Sequence, residues 1–428
     1  MAHYTPATPI SENATTPYLF NAVHTFSLAN IGVLFFFGLS SFLLTWLAEE
    51  KFKANGCFDW WQFLTHRFFR IVPLYVAVIS VSLLVIRDNG WWPNFQANEI
   101  ATRRYSIEHM WLYLAFVYNW VGAFIGFNGF KPHDFNEFGH LWTLSVEVQF
   151  YLLFAVLFTA LRASPGKIQK FLFMTVFSGV LARIAFVAVM SLGSANQPAG
   201  LLYFYSLSYL EVFALSAGAG IIFARRGDHG ALMKWLSRPG AGLAIGASLL
   251  LIGWVWKFYL WIPPPSSTRF EVLGFYGIAI ALYSAVGFVV AVSLLWLATN
   301  RERAVGRFLR LPLLQALGTL SYGIYMWHLP SKFLLYGFDR RILSGLAGDR
   351  RVAGVVLMFG VYLAFTVALA AITYVTIELP SNRIRGSLDS KHGAPVRSAG
   401  LGARPFKLVS LAFGMGGAAL VAIFLLRI

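Results

Sequence analysis

Long runs of apolar residues, each broken by a short polar and mostly basic stretch, recur along almost the whole chain. A helix needs about 20 apolar residues to cross a hydrocarbon core roughly 30 Å thick. Runs of that kind predict spans at Ile31–Leu47, Ile71–Ile86, Leu141–Leu161, Phe171–Leu192, Leu201–Phe223, Gly240–Trp261, Phe275–Ala298, Leu313–Phe338, Val355–Ile377 and Leu408–Leu426. The segments are apolar all round, without the two-residue alternation of a membrane β-barrel. The expected fold is therefore an all-α, polytopic transmembrane helical bundle of about ten spans. A further piece, Trp111–Phe127, carries Asn119, two glycines and many aromatics, and only topology can place it.

Composition agrees: 58% of the 428 residues are hydrophobic and 12% charged, too apolar for a soluble domain of this size. The formal charge of +16 does not point to nucleic acid, because Lys and Arg fall in clusters between apolar runs, as in cytoplasmic loops. Such clusters are Lys51, Lys53, Arg67 and Arg70; Arg162, Lys167 and Lys170; Arg225, Arg226, Lys234 and Arg238; and Arg301, Arg303, Arg307 and Arg310. They share one side only if Trp111–Phe127 does not span; Arg340, Arg341, Arg350 and Arg351 then fall on the other side, against the rule. This parity puts residues 1–30 on the outer face as a polar extracytoplasmic segment. It is followed by a membrane domain over 31–385, a basic linker over 386–407 and an additional C-terminal transmembrane helix over 408–428. The single cysteine, Cys57, excludes an internal disulfide framework. No cluster of ligands at metal-binding spacing occurs, so no metal is expected.

Five stretches carry candidate chemistry. Gly32–Phe42 mixes Phe35, Phe36 and Phe37 with Gly38, Ser40 and Ser41; small residues there let helices approach closely. His66–Tyr75 brings Arg67 and Arg70 onto one helical face at the cytoplasmic mouth of a span, with Pro73 at the helix start. Two guanidiniums so placed can grip a phosphate or carboxylate, or anchor the helix among lipid headgroups. In His140–Tyr151, Glu147 is a carboxylate two turns into an apolar helix, a functional candidate because such placement is costly. Ser145 and Tyr151 stand within reach of it; pairing with an arginine between helices is the plainer reading. In Gly318–Pro330, Ser321, Tyr325 and His328 follow at spacings of four and three and form one polar stripe. Glu378, Leu379 and Pro380 close a span, with Pro380 expected to stop the helix.

In this order the five stretches resemble acyltransferase family 3, membrane-bound O-acyltransferases acting on surface polysaccharides and other hydroxyl acceptors. The likeness covers Ile31 to Arg385 and rests on Phe36–Leu43, Arg70–Tyr75, Trp142–Tyr151, Ser321–His328 and Glu378–Pro380, with Ser41 and Thr143 as mild departures. It implies transfer of an acyl group, chiefly acetyl, from acyl-coenzyme A to a hydroxyl of a glycan or glycolipid in the bacterial inner membrane, with no permanently bound cofactor. Membrane lipids are the remaining partner. On this resemblance Arg67 and Arg70 would bind the donor, and Glu147 and His328 would serve catalysis. Trp142, Ser145, Tyr151, Ser321, Tyr322, Tyr325 and Glu378 would support them. The family's first helix, with an arginine and a catalytic histidine about ten residues later, has no counterpart before Ile31; His24 is the nearest imidazole. That gap keeps a catalytically inactive membrane partner open beside the enzyme. A transporter or flippase would be expected to show internal repeats, and none stands out.

Overall fold

The computed structural model describes residues 28–56, 58–85, 104, 107–125, 138–161, 165–192, 202, 204–261, 269–343 and 348–391. His24 and the predicted helix at 408–428 lie outside them. Among the described residues there are helices and turns and no strands. In chain order the helices are α1 (Leu28–Asn55), α2 (Trp60–Val85), α3 (Met110–Leu114), α4 (Tyr118–Ile125), α5 (Trp142–Leu161), α6 (Pro165–Leu192) and α7 (Leu210–Ala224). They continue with α8 (Gly230–Leu236), α9 (Pro239–Trp261), α10 (Arg269–Thr299), α11 (Ala304–Leu309), α12 (Pro312–Leu343), α13 (Gly348–Thr373) and α14 (Leu379–Lys391).

Among the described residues, seven helical segments are long and apolar enough to cross a membrane: Ile31–Asn55, Trp60–Val85, Gly139–Thr159, Lys170–Val189, Ser206–Ala224, Tyr276–Thr299 and Ala353–Leu388. The bent pair Arg226–Leu236 and Gly240–Val255 would bring the number to 8. The expected count of ten is thus not reached among the described residues. The run predicted at Leu313–Phe338 does form a helix, α12. Its Gln315, Thr319, Ser321, Tyr322, His328 and Lys332 make it too polar to count by hydropathy. Among the described residues 111–125 of the further piece, no helix is long enough to cross a membrane. The piece contains the short helices α3 and α4, separated where Phe116 takes φ 56°, a left-handed conformation uncommon for a bulky residue.

Local chemistry shifts two predicted boundaries. The Asp59 carboxylate accepts the Gln62 backbone N–H at 2.9 Å and caps α2 eleven residues before the apolar run at Ile71. Gly56, at φ +71°, closes α1 just upstream. The early start puts Arg67 and Arg70 inside a helix and makes Pro73 an interior residue, not the helix start expected of it. At the other end of the chain Pro380 does not stop its helix. A π-turn over Tyr374–Glu378 lies between α13 and α14, and its wider i→i+5 spacing accommodates the missing proline donor. The helix runs on to Lys391, into the expected linker.

The centre of the bundle is the packing of α1 against α7 and α10, with α6 beside α7 and α9 beside α10. Gly38 permits it: a Cβ there would meet Val290 Cγ1 at 2.5 Å and Ser216 Oγ at 2.9 Å. Around this centre α2 touches α5, α12 and α14, and α12 packs along α13. The candidate site lies between α1, α2, α5 and α12.

Candidate active site

α5 distributes its polar side chains to different neighbours, because successive residues on a helix point about 100° apart. Glu147, 3% exposed, faces α1 and α2. Its Oε1 accepts the Ser40 hydroxyl at 2.5 Å and the Tyr151 phenol one turn along. The Arg67 guanidinium lies 5.5 Å over the Tyr151 ring and 5.7 Å over the Phe63 ring, while its buried Nε has no hydrogen-bond partner among the described residues. Arg70, exposed on the same helix, acts electrostatically on Glu147 and Glu378. Glu378 Oε1 is buried without a hydrogen-bond partner among the described residues. The Tyr322 hydroxyl, from α12, donates at 2.7 Å to the Ile71 carbonyl beside Pro73.

Two turns back, where the chain enters α5, is a second polar group. The Tyr325 hydroxyl donates to the His140 carbonyl and pairs with the Thr143 hydroxyl. His140 and His328 meet edge to face with ring centroids 4.6 Å apart, and Tyr325 stacks on Phe36 at 6.3 Å. His328 Nδ1 hydrogen-bonds the Tyr325 carbonyl, and the Tyr362 phenol donates to the His328 carbonyl at 2.5 Å. A carbonyl only accepts, so the shared proton is on Nδ1, which leaves the lone pair of the neutral ring on Nε2. His140 lies in the single 3-10 turn Gly139–Leu141 that leads into α5, seven residues before Glu147 and so about 11 Å from it along the axis. Tyr322 and Tyr325, one turn apart on α12, follow the same rise. The result is a column of polar groups from Arg67 and Arg70 to His140 and His328.

Most of the predicted site residues meet in this column: Arg67, Arg70, Glu147, Tyr151, Tyr322, Tyr325, His328 and Glu378. Three do not. Ser145 bonds back to the Leu141 carbonyl, in the turn just before its helix, at 3.4 Å. Ser321 is exposed and bonds the Gly318 carbonyl at 2.7 Å. Trp142 contributes packing, edge-on to Phe37 and Phe204.

Sequence reasoning missed the partner roles of Ser40 and His140. It also missed Gln149, whose amide donates to the Phe116 carbonyl at 2.6 Å and to Asn119 Oδ1 at 2.9 Å and so holds the broken α3–α4 segment against α5. Away from the column, Arg183 and Glu211, both fully buried, form an ion pair at 2.8 Å between α6 and α7. It too had gone unnoticed, although a charge inside an apolar run is the signal that singled out Glu147.

A family model described as an acyltransferase domain, that of acyltransferase family 3, matches residues 1–375. A Staphylococcus aureus (strain COL) protein described as a "Putative O-acetyltransferase" is 24% identical over 357 residues, covering 82% of this chain and 52% of its own length. The O-acetyltransferase OatA of Staphylococcus aureus (strain NCTC 8325 / PS 47) is 26% identical over 310 residues, covering 70% of this chain and 45% of its own. The chain thus spans about half the length of the curated relatives it matches. No solved structure matches it.

Proposed function

The chain belongs to acyltransferase family 3, and on that premise we propose that it is a membrane O-acyltransferase. In this reading it takes an acyl group, acetyl in the simplest case, from acyl-coenzyme A at the cytoplasmic face of the bacterial inner membrane. It delivers the group to a hydroxyl of a cell-surface glycan or glycolipid. The observation that carries the proposal is the polar column, with cations at the end assigned to the cytoplasm and imidazoles toward the other. The description of the relatives as O-acetyltransferases supports the same reaction class.

Arg67 and Arg70 meet the phosphates of the donor, for which guanidinium forks are suited. Glu147 acts by position: it accepts from Ser40 and Tyr151, and Tyr151 forms the aromatic floor beneath Arg67. The thioester lies along the column toward Tyr325 and His328. The acceptor oxygen attacks the thioester carbonyl; the C–O bond forms and the C–S bond breaks. The acceptor proton passes to His328 Nε2, and the departing thiolate of coenzyme A is protonated in turn. Thr143 and Tyr325 hold the backbone at His140 and so fix the imidazole pair. A preset geometry of this kind removes orientational cost from the barrier.

The test is transfer itself. The purified full chain, supplied with radiolabelled acetyl-coenzyme A and a panel of glycan acceptors, is expected to give labelled ester released by mild base. Labelled donor left intact with every acceptor, in a preparation shown to be folded, would defeat the proposal.

A further inference from the structure

An apolar cleft of about 610 Å³, counting its open side, lies between α5, α6 and α7. Phe154, Phe158, Phe171, Leu172 and Ala217 are among its lining side chains, with Thr45 of α1 and Thr175 the only hydroxyls. The Thr175 hydroxyl is bonded at 2.9 Å to the Phe171 carbonyl of its own helix, and the Thr45 hydroxyl is buried without a hydrogen-bond partner among the described residues, so the lining is apolar but for that one group. The cleft lies within segments long and apolar enough to cross the membrane. It is flanked by side chains that are exposed on the same helices, Leu152, Val156, Phe173 and Met174. Its mouth therefore faces hydrocarbon, not water.

Two observations narrow the occupant. On α7 the lining runs from Leu210 to Ile221, about 16 Å at 1.5 Å per residue, close to the half-thickness of a bilayer core about 30 Å across. The run ends on the side that the charge distribution assigns to the cytoplasm, and there the exposed ends of the lining helices are cationic. Lys170 precedes Phe171 on α6, and Arg226 follows α7. Arg225 is already paired with Glu49 at 3.2 Å, and Asp228 is the exposed acid on the Arg226 turn. The balance at that rim is positive.

We propose that this cleft is a binding site for an anionic glycerophospholipid of the cytoplasmic leaflet. One acyl chain lies along Phe154, Phe158 and Leu172, and the phosphate is held near Lys170 and Arg226. Length, apolar lining and cationic rim each match one part of that molecule. The site also adjoins the column: Phe150 lines the cleft, stacks on Phe213 at 4.0 Å, and belongs to the same turn of α5 as Glu147 and Tyr151.

The experiment uses the full chain reconstituted in vesicles containing phosphatidylglycerol with a photoreactive diazirine on one acyl chain, or phosphatidylcholine with the same tail. Adducts are mapped by mass spectrometry. The expected result is labelling concentrated at Phe158, Leu172 and Thr175, severalfold stronger with phosphatidylglycerol. Thr175→Trp, which fills the cleft, should remove those adducts. Lys170→Glu should reduce phosphatidylglycerol labelling to the phosphatidylcholine level and leave the latter unchanged. Equal labelling by the two lipids, or adducts spread evenly over Val156 and Phe173, would overturn the proposal. So would displacement of the lipid by an acyl-coenzyme A bearing the same tail, which would make the cleft a donor-chain site.

Discussion

Replacing Arg183 by methionine removes a buried cation while leaving its partner in place. In the native chain Arg183 donates to Glu211 Oε2 at 2.8 Å, to Ser284 Oγ at 3.1 Å and to the Ser208 carbonyl at 3.2 Å, and lies 5.4 Å over the Tyr283 ring. If these were only ordinary interhelical hydrogen bonds, at about 0.6 kcal/mol each in a membrane, three would total about 2 kcal/mol. The larger effect is electrostatic. Arg183→Met strands a carboxylate whose remaining donor is Ser284, at 2.9 Å, and an uncompensated buried charge costs about 3–5 kcal/mol. We therefore expect Arg183→Met to lose about 3–5 kcal/mol of stability. The double replacement Arg183→Met with Glu211→Met should recover most of it, since neither charge is then buried alone. Reversible unfolding in mixed micelles, followed by circular dichroism as dodecyl sulfate is added, measures both. A loss of about 1 kcal/mol in the single variant, or a double variant no more stable than the single, would refute the electrostatic account.

Other expectations follow from the same geometry. Arg70→Ala should raise the KM for acyl-coenzyme A at least tenfold, on the order of one lost charge-assisted contact, without altering membrane insertion; an unchanged KM would remove Arg70 from donor binding. Glu147→Gln should depress acyl transfer on the order of 100-fold by loosening Tyr151 beneath Arg67, and wild-type turnover would show that the carboxylate is only structural. Gln149→Leu should cost about 1–3 kcal/mol by removing the donor to the Phe116 carbonyl and to Asn119 Oδ1, read as faster proteolysis at Phe116; unchanged protease resistance would count against the clamp. Tyr322→Phe should leave helix packing intact and lower stability by about 1 kcal/mol, since a single bond to the Ile71 carbonyl is lost; a loss of several kcal/mol would mean the phenol has other buried work.

What could be read along the chain was whatever a helix repeats locally. The apolar runs located most of the spans, and the four-residue spacing of Glu147 and Tyr151 anticipated their contact. The spacing of Tyr325 and His328 likewise placed them together. Contacts between distant segments were not legible, because periodicity says which face a residue occupies and not which helix that face meets. Ser40 reaches Glu147 across 107 positions, and nothing local announced it. His140 stood at the head of a motif without an assigned role until His328 was found beside it. Boundaries failed where polar chemistry overrode hydropathy: Asp59 began α2 early, and the π-turn before Pro380 let the helix continue. The run at Leu313–Phe338 did form a helix, α12, but Gln315, Thr319, Ser321 and Lys332, together with Tyr322 and His328 of the column, lower its hydropathy below that of the other spans.

The central claim is that the column carries acyl transfer from a cytoplasmic donor to an acceptor on the other face. Oriented proteoliposomes test it most directly, with labelled acetyl-coenzyme A added at the Arg67 and Arg70 face and a hydroxyl-bearing glycan acceptor sealed on the opposite side. The account predicts labelled acceptor in the sealed compartment with the wild-type chain and, at donor concentrations below the wild-type KM, about tenfold less with Arg70→Ala. Product formed only when donor and acceptor share one side, or formed equally by Arg70→Ala, would contradict it.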